Sequence, residues 1–476
     1  MRRRKFLAAA AAAATVGLAG CGDRSQDTTT PGGGPSRPTD QPLGTRGAQG
    51  TEGEQGPYPA SMAEEWGLDR VVNLATEGAD QSGVRETADY FDDHLRDGTL
   101  VYLPPGRYKL GRTVRPDGGR VGVVGENATI VPPDGFDGTL FAFGYPETLS
   151  DVVVEGLTFD FSAESTGARP LYAMASDRIV AREIEVRGEV DVEQDQLRFD
   201  VTDPGGTALV EDVRLPDGAV PGTGVTGIEV GDRNHGDLTF VDCHVAGFPD
   251  NGLYANPPEG EVSVLGGYYL NNGISGVRIE TRDASVVRGV HVRCDDGSGA
   301  GENMRGIRLR SGESLLVEDC LVELLEVTSS DGGIVFSSEL GSATVQNCQV
   351  RVDADDINAI RIKSPGDGTA DDAHHGPFRC QNVLVTGNAA GGAAVAAANR
   401  QGCEFSNLCV HQPGERRDGI VAENVHGEVH DSYVSVTGTP LSFSGSSISR
   451  KNVVVDRSPE TAERDVQRRC SVPTDQ

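Results

Sequence analysis

Along most of the chain, apolar residues come in short alternating runs, and a turn-forming residue stands before each run. The turn positions are Asn127, Gly156, Glu183, Asp212, Asp242, Gly266, Gly289, Asp319, Asn347, Asn382, Asn407, Asp431 and Asn452, spaced from 21 to 35 residues apart. Twelve of these 13 are Asn, Asp or Gly, the residues that tolerate a left-handed backbone. The third residue after each turn is always apolar or aromatic, as in Ile130, Val186, Tyr269, Val322 and Val434. Period-two alternation of this kind predicts strands. A second column follows in most coils, in which Gly252, Gly276, Gly306, Gly333, Ala359 and Gly419 each precede a branched or Leu side chain. Two or three short strands per coil, repeated in register, predict an all-β protein, a parallel β-helix of about 12–13 coils. One coil cannot bury its own strand faces. Stacked coils, about 4.8 Å apart, enclose a continuous core.

The end of such a stack exposes strand edges that must be covered. Val84, Ala88, Phe91 and Leu95 fall on one face of a predicted short capping helix that Gly98 can stop. The run Leu100–Tyr108 then reads as an apolar strand ending in a Pro-Pro-Gly turn. Gly78-Ala79-Asp80, Gly83, Thr87, the helix, Gly98-Thr99 and Val101–Tyr108 together resemble the N-terminal cap of the pectate-lyase-like β-helix superfamily. The cap motif covers about 30 residues, and the coil pattern carries the resemblance to about residue 456. It implies a right-handed helix, in keeping with the handedness of parallel crossovers. It fixes no activity, because that superfamily holds lyases, hydrolases, phage tailspikes and adhesins.

The N-terminus changes where this domain is expected to work. Arg3-Arg4 followed by Phe6-Leu7 fits a twin-arginine export signal, and the Ala-rich stretch from Ala8 to Leu18 is short for a membrane span. Leu18-Ala19-Gly20-Cys21 resembles a lipobox, which implies lipid on Cys21 and an anchor on the outer face of the cytoplasmic membrane. The expected organisation is a signal (1–20), a Gly/Pro/Thr-rich tether (21–60), a cap (61–120), the β-helix (121–457) and a tail (458–476). Asp and Glu number 72 against 42 Lys and Arg, a formal charge of −30, and Lys appears only at 5, 109, 363 and 451. Such a chain repels nucleic acid. Its acidic, Lys-poor composition resembles that of proteins from salt-loving archaea, so many carboxylates belong to solvation rather than to a site. No CxxC pair occurs, which argues against a zinc site of the usual spacing. Cys243, Cys320 and Cys348 sit at an inward phase and read as small core residues.

Against this acidic background the cations stand out. Arg278, Arg308 and Arg361 each lie two residues after the second-column residue, with Arg310 and Lys363 two further on. In register they predict a basic stripe, with Arg308 and Arg361 as candidate catalytic bases and Arg278, Arg310 and Lys363 as candidate substrate-binding groups. The turns before the stripe carry Asp295 and Asp296, then Asp331, then Asp353, Asp355 and Asp356. Carboxylates beside an Arg row suit β-elimination on a uronate polysaccharide, with Asp295, Asp296, Asp355 and Asp356 as candidate Ca²⁺ ligands, since Ca²⁺ takes oxygen donors. An Arg base is demanding, because the guanidinium holds its proton at ordinary pH. Outward Arg pairing with nearby Asp and Glu for stability is the plainer expectation. Arg361-Ile362-Lys363 also matches an element of polygalacturonase-type hydrolases, but the Asn-Thr-Asp and Gly-His-Gly that accompany it there are missing. A Gly-rich insertion holding Asp367, Asp371, Asp372, His374 and His375 reads as an acidic surface loop. Two functions stay open: a surface protein that binds and cleaves an acidic polysaccharide, and a non-catalytic scaffold or adhesin.

Overall fold

All thirteen turn residues adopt the left-handed backbone that the repeat demands, with φ between +47° at Asp212 and +69° at Gly266. Glu183, the one position without a turn-prone side chain, does so too at +54°. The structure, a computed structural model, describes residues 61–298, 300–366, 376–457 and 459. They belong to a unit spanning Pro57–Gln476, and a second unit is Met1–Gly56. The signal, the tether, Cys21, the insertion at 367–375 and nearly all of the tail lie outside the described residues.

Each coil contributes a strand before the left-handed turn, a strand after it, and a third strand beyond a longer loop. In one coil these are Leu315–Glu318, Leu321–Leu324 and Ile334–Leu340. The next coil lays Ala343–Gln346, Gln349–Val352 and Ile360–Ile362 on them, all parallel and in register. Repetition builds three stacks of strands around one apolar core and gives an all-β, right-handed parallel β-helix of about 13 turns. Inward positions such as Val317, Val322, Ile334 and Phe336 are fully buried. Cys243, Cys320 and Cys348 are among them, buried as free thiols. Cys409 is disulfide-bonded, and its partner lies outside the described residues.

The turn column is stitched along the axis by side-chain amides. Asn382 Nδ2 donates to Asn347 Oδ1 at 3.1 Å, and Asn407 Nδ2 donates to Asn382 Oδ1 at 2.7 Å. Two arginines pin the later coils from within. Arg417, fully buried, donates to the carbonyls of Ile357, Gly391 and Ala393 at 2.6, 2.7 and 3.0 Å. Arg400, equally buried, donates to those of Lys363, Leu340 and Ser337. Both guanidiniums donate to backbone carbonyls of several coils, of which that of Ala393 also accepts the Ala359 N–H.

At the N-terminal end the helix Ala88–His94 covers the core with Ala88 and Phe91, and Leu95 follows at its C-cap. Val84 departs from the expected helical face. It is 73 % exposed and lies in the strand Ser82–Glu86, because the helix begins only after Thr87. A second helix, Ser61–Trp66, packs Ala63 and Trp66 against Leu100, Val124, Val153 and Val180. Among the described residues no helix is long and apolar enough to cross a membrane.

Candidate functional site on the third stack

Strand alternation sends every second side chain of the third stack outward, and the coil register lines these up along the axis. The outward column runs Tyr172, Arg198, Glu229, Tyr254, Arg278, Arg308, Val335 and Arg361, each the Cα partner of the next. Arg278, Arg308 and Arg361 therefore share one register, as the spacing predicts. Val335 separates the last two and is itself buried. Tyr254 follows Gly252 of the second column, and the first three members, Tyr172, Arg198 and Glu229, extend the face over earlier coils that the sequence reading did not include. Gly227-Ile228-Glu229 carries the same glycine–apolar–outward spacing and is the signal that could have found them.

The members of this column engage one another closely. Arg198 lies 5.2 Å from the ring centre of Tyr172, and Arg278 lies 4.1 Å from that of Tyr254, both cation–π contacts. Tyr145 stacks on Tyr172 at 5.5 Å and extends the aromatic end of the face. Arg278 also pairs with Glu280 at 2.8 Å. Arg308 donates to Ser337 Oγ at 3.2 Å and, among the described residues, has no carboxylate within 4.0 Å. Burial and the like charges of Arg305, Arg278 and Arg310 bring its guanidinium down to about 10. Arg361 likewise has no ion pair among the described residues, and its Nε is buried without a partner.

The flanking cations are neutralised internally. Arg310 pairs with Glu339, and Lys363 shares Asp331 with Arg305. Burial opposes ionisation of Asp331, but Lys363 and Arg305 hold its carboxyl below the usual range.

The four acidic residues expected to hold Ca²⁺ do not meet. Asp295 pairs with Arg293 at 2.6 Å and accepts from Asn271. Asp296 accepts the Ser298 N–H, and Asp355 accepts the Ala390 N–H. Asp356 is itself a left-handed turn residue with φ +60°. The two pairs follow the strands His291–Cys294 and Gln349–Val352, two coils or about 10 Å apart along the axis. Asn271 lies in the coil before Asp295 and Ala390 in the coil after Asp355, so the two acidic pairs are tied to different coils. The donor set does not converge on one ion. Among the described residues the His, Asp and Glu ligand atoms that do gather within 4.8 Å are those of Glu404, Glu428 and His430. They lie on the pre-turn stack, where Arg379 already pairs with Glu404 at 2.9 Å.

Carboxylates that act on the column include Glu229 itself, Asp200 and Asp232 beside Arg198, Glu280 beside Arg278, and the edge residues Asp195 and Asp250. Glu229 lies 3.2 Å from Arg198. Burial lifts it to about 7, Arg198 opposes the shift, and Asp195 adds to it. Burial also raises Asp250, against the pull of Arg278. Tyr172 is pushed up to about 12 by burial and then by Asp200. The face thus joins two tyrosines, a row of guanidiniums and a carboxyl that changes charge near neutrality. That combination can grip an extended anionic chain and exchange a proton with it.

No family model matches the chain, and no curated protein matches it. Solved structures do resemble it at low identity. The A-module of a mannuronan C-5 epimerase from Azotobacter vinelandii is 15 % identical with a TM-score of 0.42, covering 80 % of this chain and 100 % of that one. The surface adhesin PfbA of Streptococcus pneumoniae is 12 % identical with a TM-score of 0.42, covering 81 % and 100 %. The catalytic unit of a thermostable α-1,3-glucanase from Streptomyces thermodiastaticus is 13 % identical with a TM-score of 0.42, covering 81 % and 67 %.

Proposed function

We propose that the outward face of the third stack binds an acidic polysaccharide laid along the solenoid axis. The observation that carries this reading is Arg308: a half-buried guanidinium, next to Arg278 in register, with no carboxylate within 4.0 Å among the described residues of a protein whose charge is −30. An anionic ligand supplies the charge that the protein withholds there. Tyr254, partly exposed beside Arg278, can contact sugar C–H surfaces, and one rung per coil gives a spacing of about 4.8 Å.

The finer form of the proposal is cleavage by β-elimination at a uronate, with Arg308 taking the proton from the carbon beside the carboxylate. Burial beside other cations favours the neutral guanidine that this step needs. Arg361 shares the register but stands beyond Val335, so the proposal gives it a binding role. No step runs through calcium. The domain is further proposed to be displayed outside the cytoplasmic membrane on a lipid at Cys21, supported by the twin-arginine and lipobox pattern.

The test is incubation with a panel of polyuronates in concentrated salt, reading retention on immobilised polymer and the ultraviolet absorbance of unsaturated ends. Retention with absorbance supports cleavage, and Arg308→Lys should then abolish the absorbance while keeping most of the retention. Retention alone supports a binding or adhesion role. Neither signal, on any polyuronate, contradicts the proposal.

A further inference from the structure

The outward column of the second stack breaks its own pattern near the C-terminal end. From His244 to Leu384 its members are partly exposed, as outward side chains are when their neighbours above and below give the only cover. Cys409 and Tyr433, the next two rungs, are only 1 % and 7 % exposed, and Val454 after them is 53 % exposed. Leu408 and Val410, on either side of Cys409, belong to the continuous core. Cys409 and Tyr433 instead form a small apolar cluster of their own, with Leu384 packed against it. A groove of about 400 Å³ beside them is bordered by the turn residues Asn407, Asp431 and Asn452 and by Tyr433 and Val454.

The cover over this cluster has to come from outside the stacks, and Cys409 points to its source. Its sulfur is bonded to a cysteine outside the described residues, where the cysteines are Cys21 and Cys470. Cys470 belongs to the same compact unit as Cys409, and Cys21 to the other. The last strand among the described residues, Val454–Asp456, pairs with Tyr433–Val436, so the chain leaves the solenoid on the stack that carries Cys409. Val454 and Cys409 stand two coils apart, about 10 Å along the axis. The chain from Asp456 to Cys470 reaches about 45 Å when extended, ample for that step. Arg468 and Arg469 precede Cys470 and suit a groove with Asp431 on its border.

We propose that the segment 458–476 folds back over the outward column of the second stack and is locked there by a Cys409–Cys470 disulfide, as a strap that holds the last two coils closed. A solenoid coil is held only by its neighbours, so a terminal coil with one free side peels first. The strands Leu441–Ser444, Ser447–Lys451 and Val454–Asp456 each have a paired strand on one side only among the described residues. A covalent link from beyond the last coil to a residue two coils back lets neither coil leave alone, and the linked segment shields Tyr433 from water. Forming the bond takes two protons and two electrons from the two thiols. A disulfide oxidant accepts them and leaves as a dithiol. The strap lies on the second stack and the polysaccharide face on the third, so the two proposals stand separately.

The experiment compares the whole oxidised chain with Cys470→Ser, by non-reducing peptide mapping and by amide hydrogen exchange in concentrated NaCl. The wild type should yield the Cys409 and Cys470 peptides as one linked species. In Cys470→Ser the amides of Tyr433–Val436 and Val454–Asp456 should exchange at least about ten-fold faster, while those of Leu315–Glu318 and Leu321–Leu324, in the middle of the solenoid, exchange as in the wild type. Cys409 linked to Cys21 or to a second copy of the chain overturns the inference, and so does equal exchange of the terminal strands in the two proteins.

Discussion

Arg308 and Arg417 are both removed from water, and they are stabilised in opposite ways. Arg417 spends its donors on three backbone carbonyls and on Gln412 Oε1, so its charge is distributed over the coils it joins. Arg308 has one hydroxyl and, among the described residues, no carboxylate within 4.0 Å, and the like charges of Arg305, Arg278 and Arg310 outweigh the opposite charge of Asp331. Arg417→Met should therefore cost stability, on the order of 3 kcal/mol, by removing donors to buried carbonyls. Arg308→Ala should leave thermal stability unchanged or slightly higher, because it removes a repulsive charge. Paired melts of the two variants check both directions. Glu229 adds a pH dependence with a defined sign. Its folded value, about 7, stands above the ordinary 4.5, so the folded chain holds this proton more tightly between those values. Its contribution to stability is full below about 4.5, falls as pH rises through that window, and is level above about 7. Subtracting the Glu229→Gln melting profile from the wild-type profile should isolate that slope, and a difference that does not vary with pH would contradict it.

The strands and turns explain why the fold was easier to read than the site. A left-handed turn needs Asn, Asp or Gly for a steric reason, so the turn column announces itself in composition, and all thirteen positions hold. Inward strand positions announce themselves by apolarity, which is why Cys320, Cys348 and Tyr269 read correctly as core. Outward positions carry no such obligation. The register of Arg278, Arg308 and Arg361 was legible only because each follows the second column by the same interval. Tyr172, Arg198 and Glu229 went unread because the outward residue changes type from coil to coil. Asp295 and Asp355 show why a turn carboxylate is ambiguous in sequence: the Asp295 carboxyl is held by Arg293 and the Asn271 amide, and that of Asp355 accepts the Ala390 N–H, roles that read there like those of a metal ligand. The turn column also yields a prediction. Glu183 holds φ +54° with a side chain that gains nothing from it, so Glu183→Asn should stabilise the protein by about 1 kcal/mol. Asn407→Val, placing a β-branched residue at φ +50° and breaking the amide contact with Asn382, should destabilise it by roughly 2 kcal/mol. Chemical denaturation of the two variants measures both.

Across the whole chain, a charge of −30 is a standing repulsion that salt must screen. The melting temperature should climb with NaCl over the molar range, and a flat profile would count against salt adaptation. Cysteine usage gives a second whole-chain expectation. Among the described residues six cysteines are buried free thiols and Cys409 is bonded, and the cysteines outside them are Cys21 and Cys470. Non-reducing peptide mapping should recover the Cys409 and Cys470 peptides as one linked species. The central claim, however, concerns the long face on which Arg278 and Arg308 follow Tyr254 and Glu229. It is tested most directly by measuring, in concentrated salt, the affinity for a polyuronate and for the same polymer with its carboxyls reduced to alcohols. Wild type should bind the uronate and lose at least about ten-fold on the reduced polymer, and Arg278→Ala/Arg308→Ala should bind both equally weakly. Equal affinity of the wild type for the two polymers, or an undiminished preference in the double variant, would contradict the account.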